Sequence, residues 1–131
     1  MPHLIIEHSS NIEKELDLPR LVSCLHTTTS EIKDFPMAGL RTRIAKRDIF
    51  CIADGHPDNS FVHVTLRIRH GRSMDTKKKA AESIFESLTT YLDTLLKKKP
   101  LAISFEIQEI DPELSFRKGN IRDHLKRRGT G

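Results

Sequence analysis

Residues 61–69, Phe61-Val62-His63-Val64-Thr65-Leu66-Arg67-Ile68-Arg69, alternate between aliphatic and polar side chains from Val62 onwards. This alternation predicts a β-strand that has all its aliphatic residues on one face. Ser73 or Asp75 can then cap a long helix, whose apolar stripe comprises Ala80, Ala81, Ile84, Leu88, Leu92 and Leu95. A further strand over residues 101–110 closes a β-α-β unit, with Ile103, Phe105 and Ile107 on one face.

The first half of the chain has the same order of elements, about 60 residues earlier. Residues 3–8 predict a short apolar strand, and Asn11 or Asp17 can cap the helix that follows. The apolar positions of that helix are Leu18, Leu21, Val22 and Leu25. After a break at Pro36 and Gly39, a second strand is expected at about 43–53, containing Ile44, Ile49, Phe50 and Ile52. Because sequence identity between the halves is faint, the repeat depends on the order of elements.

This doubled pattern predicts an α/β (α+β) fold with a first unit at about 2–53 and a second at about 61–110. The crossover of a β-α-β unit is right-handed and makes its two strands parallel. Two such units predict a four-stranded mixed sheet with both long helices on one face. The apolar alternation also suggests that the other face needs cover, which self-association would provide. We expect one domain over 1–125 and a basic C-terminal tail over 126–131, although Asn120 to Arg128 can form either a short helix or part of that tail.

Length and composition restrict the class of protein. The chain has 131 residues, no apolar run of membrane-spanning length, and no basic-then-apolar secretory signal at its start, so we expect a cytoplasmic protein without a membrane partner. Its two cysteines, Cys24 and Cys51, form no CxxC pair, which predicts reduced thiols and no zinc site. Asp54, His56 and Asp58 resemble metal ligands, but the glycine and proline between them favour a turn, so we predict no metal.

The net charge of +4 favours anionic partners. Much of the excess lies in three clusters that suggest helix faces and a tail: Lys77-Lys78-Lys79, Lys97-Lys98-Lys99 and Arg117 to Arg128. The last of these clusters lacks interleaved aromatic residues, and the chain has one tyrosine, so nucleic acid is not an expected partner.

Pro2 is a candidate general base. The initiator methionine is usually removed when the next residue is small, and Pro2 would then carry a secondary amine instead of an amide. Burial or nearby cations would lower the pKa of that amine and make it a usable base near neutral pH. The alternative is that Pro2 merely starts an edge strand, where its missing N–H has no cost.

Arg41 and Arg72 are candidate ligands for an acidic substrate. Each lies at the end of a predicted strand, where binding residues are commonly found, and the planar guanidinium suits a carboxylate. The alternative for each is a solvated surface charge. Arg43 competes with Arg41 for the role, and Arg67 or Arg69 competes with Arg72.

Six short motifs occur in order along the chain: Met1-Pro2-His3 with Ile5 and Glu7, Phe35-Pro36-x-Ala38-Gly39-x-Arg41-x-Arg43, Ala53-Asp54-Gly55, Phe61-Val62-His63, Gly71-Arg72-Ser73, and Leu101-Ala102-x-Ser104-Phe105-Glu106-Ile107. Together they resemble the 5-carboxymethyl-2-hydroxymuconate isomerase family of the tautomerase superfamily, up to about residue 125. Each motif is weak alone, but six in register are specific.

The resemblance implies a homotrimeric, cofactor-free isomerase that acts on an unsaturated di- or tricarboxylate. It implies that Pro2 moves the proton and that Arg41 and Arg72 bind carboxylates and stabilise the dienolate. The implied context is bacterial degradation of homoprotocatechuate, in the 4-hydroxyphenylacetate pathway. From a different functional class, the alternative is a non-catalytic trimeric binding protein with the same fold.

The internal repeat adds a hypothesis about the number of sites. With an offset of about 60 residues, Val62 occupies the position of Pro2, and Ile12 occupies the position of Arg72. Each half thus lacks a part that the other half has. We expect one active site per subunit.

Overall fold

The structure is a computed structural model that describes residues 2–129. Its strands are β1 (His3–Ser9), β2 (Arg41–Arg47), β3 (Ser60–Arg69) and β4 (Leu101–Ile110), and its helices are α1 (Leu18–Ser30), α2 (Met74–Lys98) and α3 (Ile121–Arg127). Short 3-10 turns cover Ser10–Ile12 and Met37–Gly39. The order of elements confirms two consecutive β-α-β units.

The four strands form one mixed sheet in the order β2-β1-β3-β4. Strands are parallel within each unit and antiparallel between the units, at the central pair β1 and β3. The fold is therefore the predicted α+β architecture. This topology brings the starts of β1 and β2 and the ends of β3 and β4 together at one end of the sheet. We call this row of strand termini the site edge.

The core lies between the sheet and the two long helices. Side chains at alternate positions of the central strands and along the helix stripes are completely buried, among them Leu4, Ile6, Val62, Val64, Leu66, Ile68, Leu21, Leu25, Ile84, Leu88 and Leu92. Asp17 caps α1, because its side chain accepts a hydrogen bond from the Arg20 amide at 3.0 Å. Ser73 caps α2 in the same way through the Thr76 amide at 3.1 Å. One of the two capping residues proposed for each helix is thus confirmed.

The second strand is shorter than predicted. It was expected at about 43–53 but covers Arg41–Arg47, and Ile49 is 98% exposed. The physical reason is the absence of a partner strand: β2 pairs with β1, whose last residue, Ser9, lies opposite Arg47. Beyond that point the β-branched residues have no ladder to join, so their strand propensity has no effect.

The face of the sheet without helices is mainly polar. It presents His3, Glu7, Arg41, Arg43, Arg47, His63, Arg67, Glu106 and Gln108, together with the half-buried Ile5 and Phe61. The alternating aliphatic residues of β3 face the helices, so the apolar alternation is no argument for a cover on this face. Cover by self-association stays a prediction. Self-association must therefore be argued from other features.

The chain after β4 returns to the site edge. Helix α3 packs against the turn Met37–Gly39, which answers the open question of a helix or a tail over 120–128. The predicted boundary at 125/126 lies inside this helix, and residues 130 and 131 of the predicted tail lie outside the described residues. The division of the chain into a 1–125 domain and a tail stays a prediction. Within residues 2–129, no helix has the length and apolar character needed to cross a membrane.

Candidate active site

Pro2 and Arg41 lie side by side at the site edge. Pro2 is buried and directly precedes β1, and Arg41 is the first residue of the neighbouring parallel strand β2. The main-chain N–H of Arg41 donates a hydrogen bond to the Pro2 carbonyl at 3.1 Å. The parallel pairing of β1 and β2 therefore fixes the candidate base next to one of the two candidate arginines.

The Arg41 side chain belongs to a cationic group around His3. Its Nη1 atom lies 3.3 Å from His3 Nε2, and Arg43 Nη1 lies 3.1 Å from His3 Nδ1. Arg67 lies opposite His3 on β3. Burial first, and then Arg43, Arg41 and Arg67, hold the pKa of His3 below its ordinary value of 6.5. His3 is accordingly neutral near pH 7 and accepts a hydrogen bond from one of the two arginines, because a neutral imidazole has one acceptor nitrogen.

Arg72 lies at the same edge of the sheet but is turned towards a loop. Its Nη2 donates to the Asp34 carbonyl at 2.7 Å and its Nη1 donates to the Arg69 carbonyl at 3.4 Å. The guanidinium also lies over the buried Phe35 ring, 4.9 Å from its centroid. Within the described chain, the Arg72 side chain has no hydrogen bond to Pro2 or Arg41. The structure thus brings Pro2 and Arg41 into contact and places Arg72 nearby as a link between β3 and the loop before the turn Met37–Gly39.

A cavity of about 480 Å³ opens beside Arg41. The turn Met37–Gly39 forms one wall, and residues 117–123 form the other. Its charged lining consists of four cations and one carboxylate: Arg41, Arg117, Lys118, Arg122 and Asp123. We call the three cations from the C-terminal segment, Arg117, Lys118 and Arg122, the C-terminal cations. A concave site of this size and sign is suited to a small polycarboxylate.

Sequence reasoning missed the C-terminal cations as site residues. It interpreted Arg117 to Arg128 as helix faces and a tail, because basic clusters are usually solvated. Their proximity to Arg41 depends on the packing of α3 against the turn Met37–Gly39, a contact between segments about 80 residues apart. The available sequence signal was a cluster of cations after the last strand of the sheet, which ends at the site edge.

His63, His8 and His56 take no part in this group of residues. His63 is in the middle of β3, where its Nδ1 lies 2.6 Å from Ser104 Oγ and its Nε2 lies 3.4 Å from Glu106. His8 is buried near the opposite end of β1. Asp54 and His56 belong to a hydrogen-bonded turn, in which the His56 amide donates to Asp54 Oδ1 and holds the pKa of Asp54 below its ordinary value. The turn predicted at 54–58 is confirmed.

Comparison with known proteins identifies the relatives of this chain. The family model described as 5-carboxymethyl-2-hydroxymuconate isomerase matches residues 2–125. The 5-carboxymethyl-2-hydroxymuconate Delta-isomerase of Escherichia coli is 41% identical over 126 residues, which are 96% of this chain and 100% of that protein. A crystal structure of a 5-carboxymethyl-2-hydroxymuconate isomerase from Deinococcus radiodurans R1 has a TM-score of 0.88 and 29% identity, and the match covers 95% of this chain and 93% of that one.

A more distant structure shows how widely the fold is shared. The fused 4-OT wild type symmetric trimer has a TM-score of 0.61 and 15% identity, over 88% of this chain and 93% of that one. At this identity the likeness concerns the fold alone. It agrees with the tautomerase-like arrangement of two β-α-β units.

Proposed function

The chain belongs to the 5-carboxymethyl-2-hydroxymuconate isomerase family and is an isomerase, and from this premise we propose that it moves a proton in 5-carboxymethyl-2-hydroxymuconate or a similar 2-hydroxydienoate polycarboxylate without a cofactor. The observation that carries the proposal is the pairing of Pro2 with Arg41 at adjacent strand starts, joined by a 3.1 Å hydrogen bond beside a cation-lined cavity.

Pro2 is the proposed base once Met1 has been removed. Its secondary amine takes the proton of the substrate 2-hydroxyl, which leaves a dienolate with negative charge spread over the conjugated chain. The protonated amine then returns the proton to carbon at the far end of that chain and leaves a 2-oxo enone. No atom is gained or lost in this sequence, so no co-reactant is required.

Cations at the site edge support both steps. Arg41, with Arg43 and Arg67 close by, would disfavour the protonated form of the Pro2 amine and so lower its pKa. The same positive charge would stabilise the dienolate as it forms. Binding of the anionic substrate and tuning of the base therefore follow from one arrangement of charge.

Arg72 is the proposed second carboxylate ligand. Its guanidinium has five N–H donors, and its two hydrogen bonds to main-chain carbonyls leave donors free for a substrate oxygen. Those bonds and the contact with Phe35 also restrict the side chain before substrate binds. This reduces the conformational entropy that binding would cost.

The finer biological setting is also proposed from the family. We infer a homotrimer with one active site per subunit, located in the cytoplasm of a bacterium that degrades homoprotocatechuate. The internal repeat supports the count of sites, since Val62 and Ile12, at the positions that correspond to Pro2 and Arg72, are completely buried apolar residues.

Ultraviolet spectroscopy tests the proposed reaction. Protein whose intact mass shows that Met1 is absent should accelerate the loss of the dienol absorbance of 5-carboxymethyl-2-hydroxymuconate far above its rate in buffer. Binding of the substrate without turnover above that background would contradict the proposal and would favour the alternative, a non-catalytic binding protein.

A further inference from the structure

The cation-lined cavity beside Arg41 is built from two distant parts of the chain. Helix α3 packs against the turn Met37–Gly39 and so holds residues 117–123 across from Arg41. The volume of this open cavity, about 480 Å³, lies within the usual range for small-molecule sites, roughly 300–1,000 Å³. The C-terminal segment thus forms a wall of the candidate active site.

The charge of this cavity is not neutralised within the described part of the chain. No carboxylate there lies within ion-pair distance of Arg117, Lys118 or Arg122, whereas the salt bridges that do form engage cations elsewhere, such as Arg47 with Glu7. The single carboxylate in the lining is Asp123. Holding cations close together in a concave site has an electrostatic cost, and a bound anion would remove that cost.

Arg41 connects this cavity to the proposed base. Arg41 belongs to the cavity lining, and its main-chain N–H donates a hydrogen bond to the carbonyl of Pro2. A molecule whose reacting end is next to Pro2 would pass Arg41 and reach the C-terminal cations with its other end. A substrate with three carboxylates needs one more cationic partner than Arg41 and Arg72 provide.

We infer that the C-terminal cations bind the third carboxylate of the substrate, the carboxymethyl group that distinguishes it from 2-hydroxymuconate. The inference depends on the proposed function, because it assigns one carboxylate of the proposed substrate to this cavity. The C-terminal segment is thereby a specificity element, and it makes the enzyme prefer a tricarboxylate to a dicarboxylate.

The effect should appear in binding more than in chemistry. The carboxymethyl group carries a full charge in both the ground state and the transition state, so contacts with it bind the two equally. Removing such contacts raises KM and leaves kcat nearly unchanged. The loss of a base or of a dienolate-stabilising group would lower kcat instead.

The experiment compares two substrates with matched variants. The charge-removing variants are Arg117→Gln, Lys118→Gln and Arg122→Gln, separately and combined. The control for the single variants is Arg127→Gln, which removes one positive charge from α3 outside the cavity lining. Steady-state kinetics are measured with 5-carboxymethyl-2-hydroxymuconate and with 2-hydroxymuconate. A thermal melt and circular dichroism of each variant establish that it is folded.

The combined variant should raise KM for the tricarboxylate by roughly tenfold or more, as expected for the loss of charged hydrogen bonds, and should change KM for the dicarboxylate less than threefold. Equal losses on both substrates, or an equal loss in Arg127→Gln, would overturn the inference in favour of a general electrostatic effect, and unchanged kinetics would overturn it outright. If the combined variant does not fold, the ratio of inhibition constants for glutarate and propane-1,2,3-tricarboxylate is measured for wild type, the single variants and Arg127→Gln. A ratio that falls in the single variants but not in Arg127→Gln supports the inference, and a ratio that is the same in all of them overturns it. Wild-type protein that turns over neither substrate would instead refute the proposed function.

Discussion

Pro2 can act as a base only when its nitrogen is a free amine, since the nitrogen of an internal proline is an amide and has no useful basicity. The structure contributes the environment of that nitrogen: a buried position at the start of β1, with Arg41 held next to it by a main-chain hydrogen bond. Catalysis by Pro2 therefore requires both a free amine and the cations around it.

The variant Arg41→Gln tests whether the positive charge beside Pro2 contributes to catalysis. We expect kcat/KM for the tricarboxylate to fall by roughly 10²-fold, as is typical when a preorganised group that stabilises developing charge is removed. Arg47→Gln is the matched control, because Arg47 lies on the same strand but pairs with Glu7 at the other end. Steady-state kinetics of both variants provide the measurement, and equal activity in the two would contradict the role of Arg41.

The His3 side chain predicts a pH dependence of stability. Its pKa is lower in the folded protein than the ordinary value of 6.5, so the folded state binds fewer protons than the unfolded state between those two values. The free energy of unfolding must then fall as the pH is lowered through this window. Urea unfolding from pH 8 to pH 5 should show a smaller acid loss for His3→Gln than for wild type, and parallel curves would rule out this contribution.

At the scale of elements, the start of α2 connects stability to the site. Ser73 caps the helix directly after Arg72, so the cap helps to fix the segment that carries this arginine. We expect Ser73→Ala to lower the free energy of unfolding by about 1 kcal/mol. Ser83→Ala, at an exposed position inside the same helix, is the control, and it should have little effect or stabilise slightly. Urea denaturation measures both, and equal values would show that the cap contributes nothing.

The sequence predicted most elements because strand alternation and helical stripes are local signals. The alternation at 61–69 and the stripe from Ala80 to Leu95 correspond closely to β3 and α2. The end of β2 could not be predicted in this way, since a strand continues only as far as its partner. β1 ends at Ser9, and this fact about pairing overrides the β-branched residues beyond Arg47.

At the scale of the whole molecule, Leu114 and Phe116 are the features that suggest association. They are 80% and 93% exposed in the single chain, in the irregular segment between β4 and α3. Large apolar side chains at that exposure are better buried against another copy. Pro2, Arg41 and Arg72 could be proposed from motifs in the sequence, whereas the cavity beside Arg41 depends on where this C-terminal segment packs.

Analytical ultracentrifugation tests the trimer. Wild-type protein should sediment with three times the chain mass of 15.0 kDa, and Phe116→Ser should shift the population towards smaller species. Leu96→Ser, which removes a half-exposed apolar side chain from α2, should not change the assembly. A wild-type protein that sediments as a monomer at all concentrations would contradict the proposed trimer.

The measurement that bears most directly on Pro2 compares two forms of one chain. One form begins at Pro2 after removal of Met1, the other retains Met1, and intact mass verifies each before kcat/KM is determined by loss of the dienol absorbance. General base catalysis contributes roughly 10²–10⁴-fold, so the account predicts that retention of Met1 lowers kcat/KM by at least about 10²-fold. Equal rates for the two forms would contradict it.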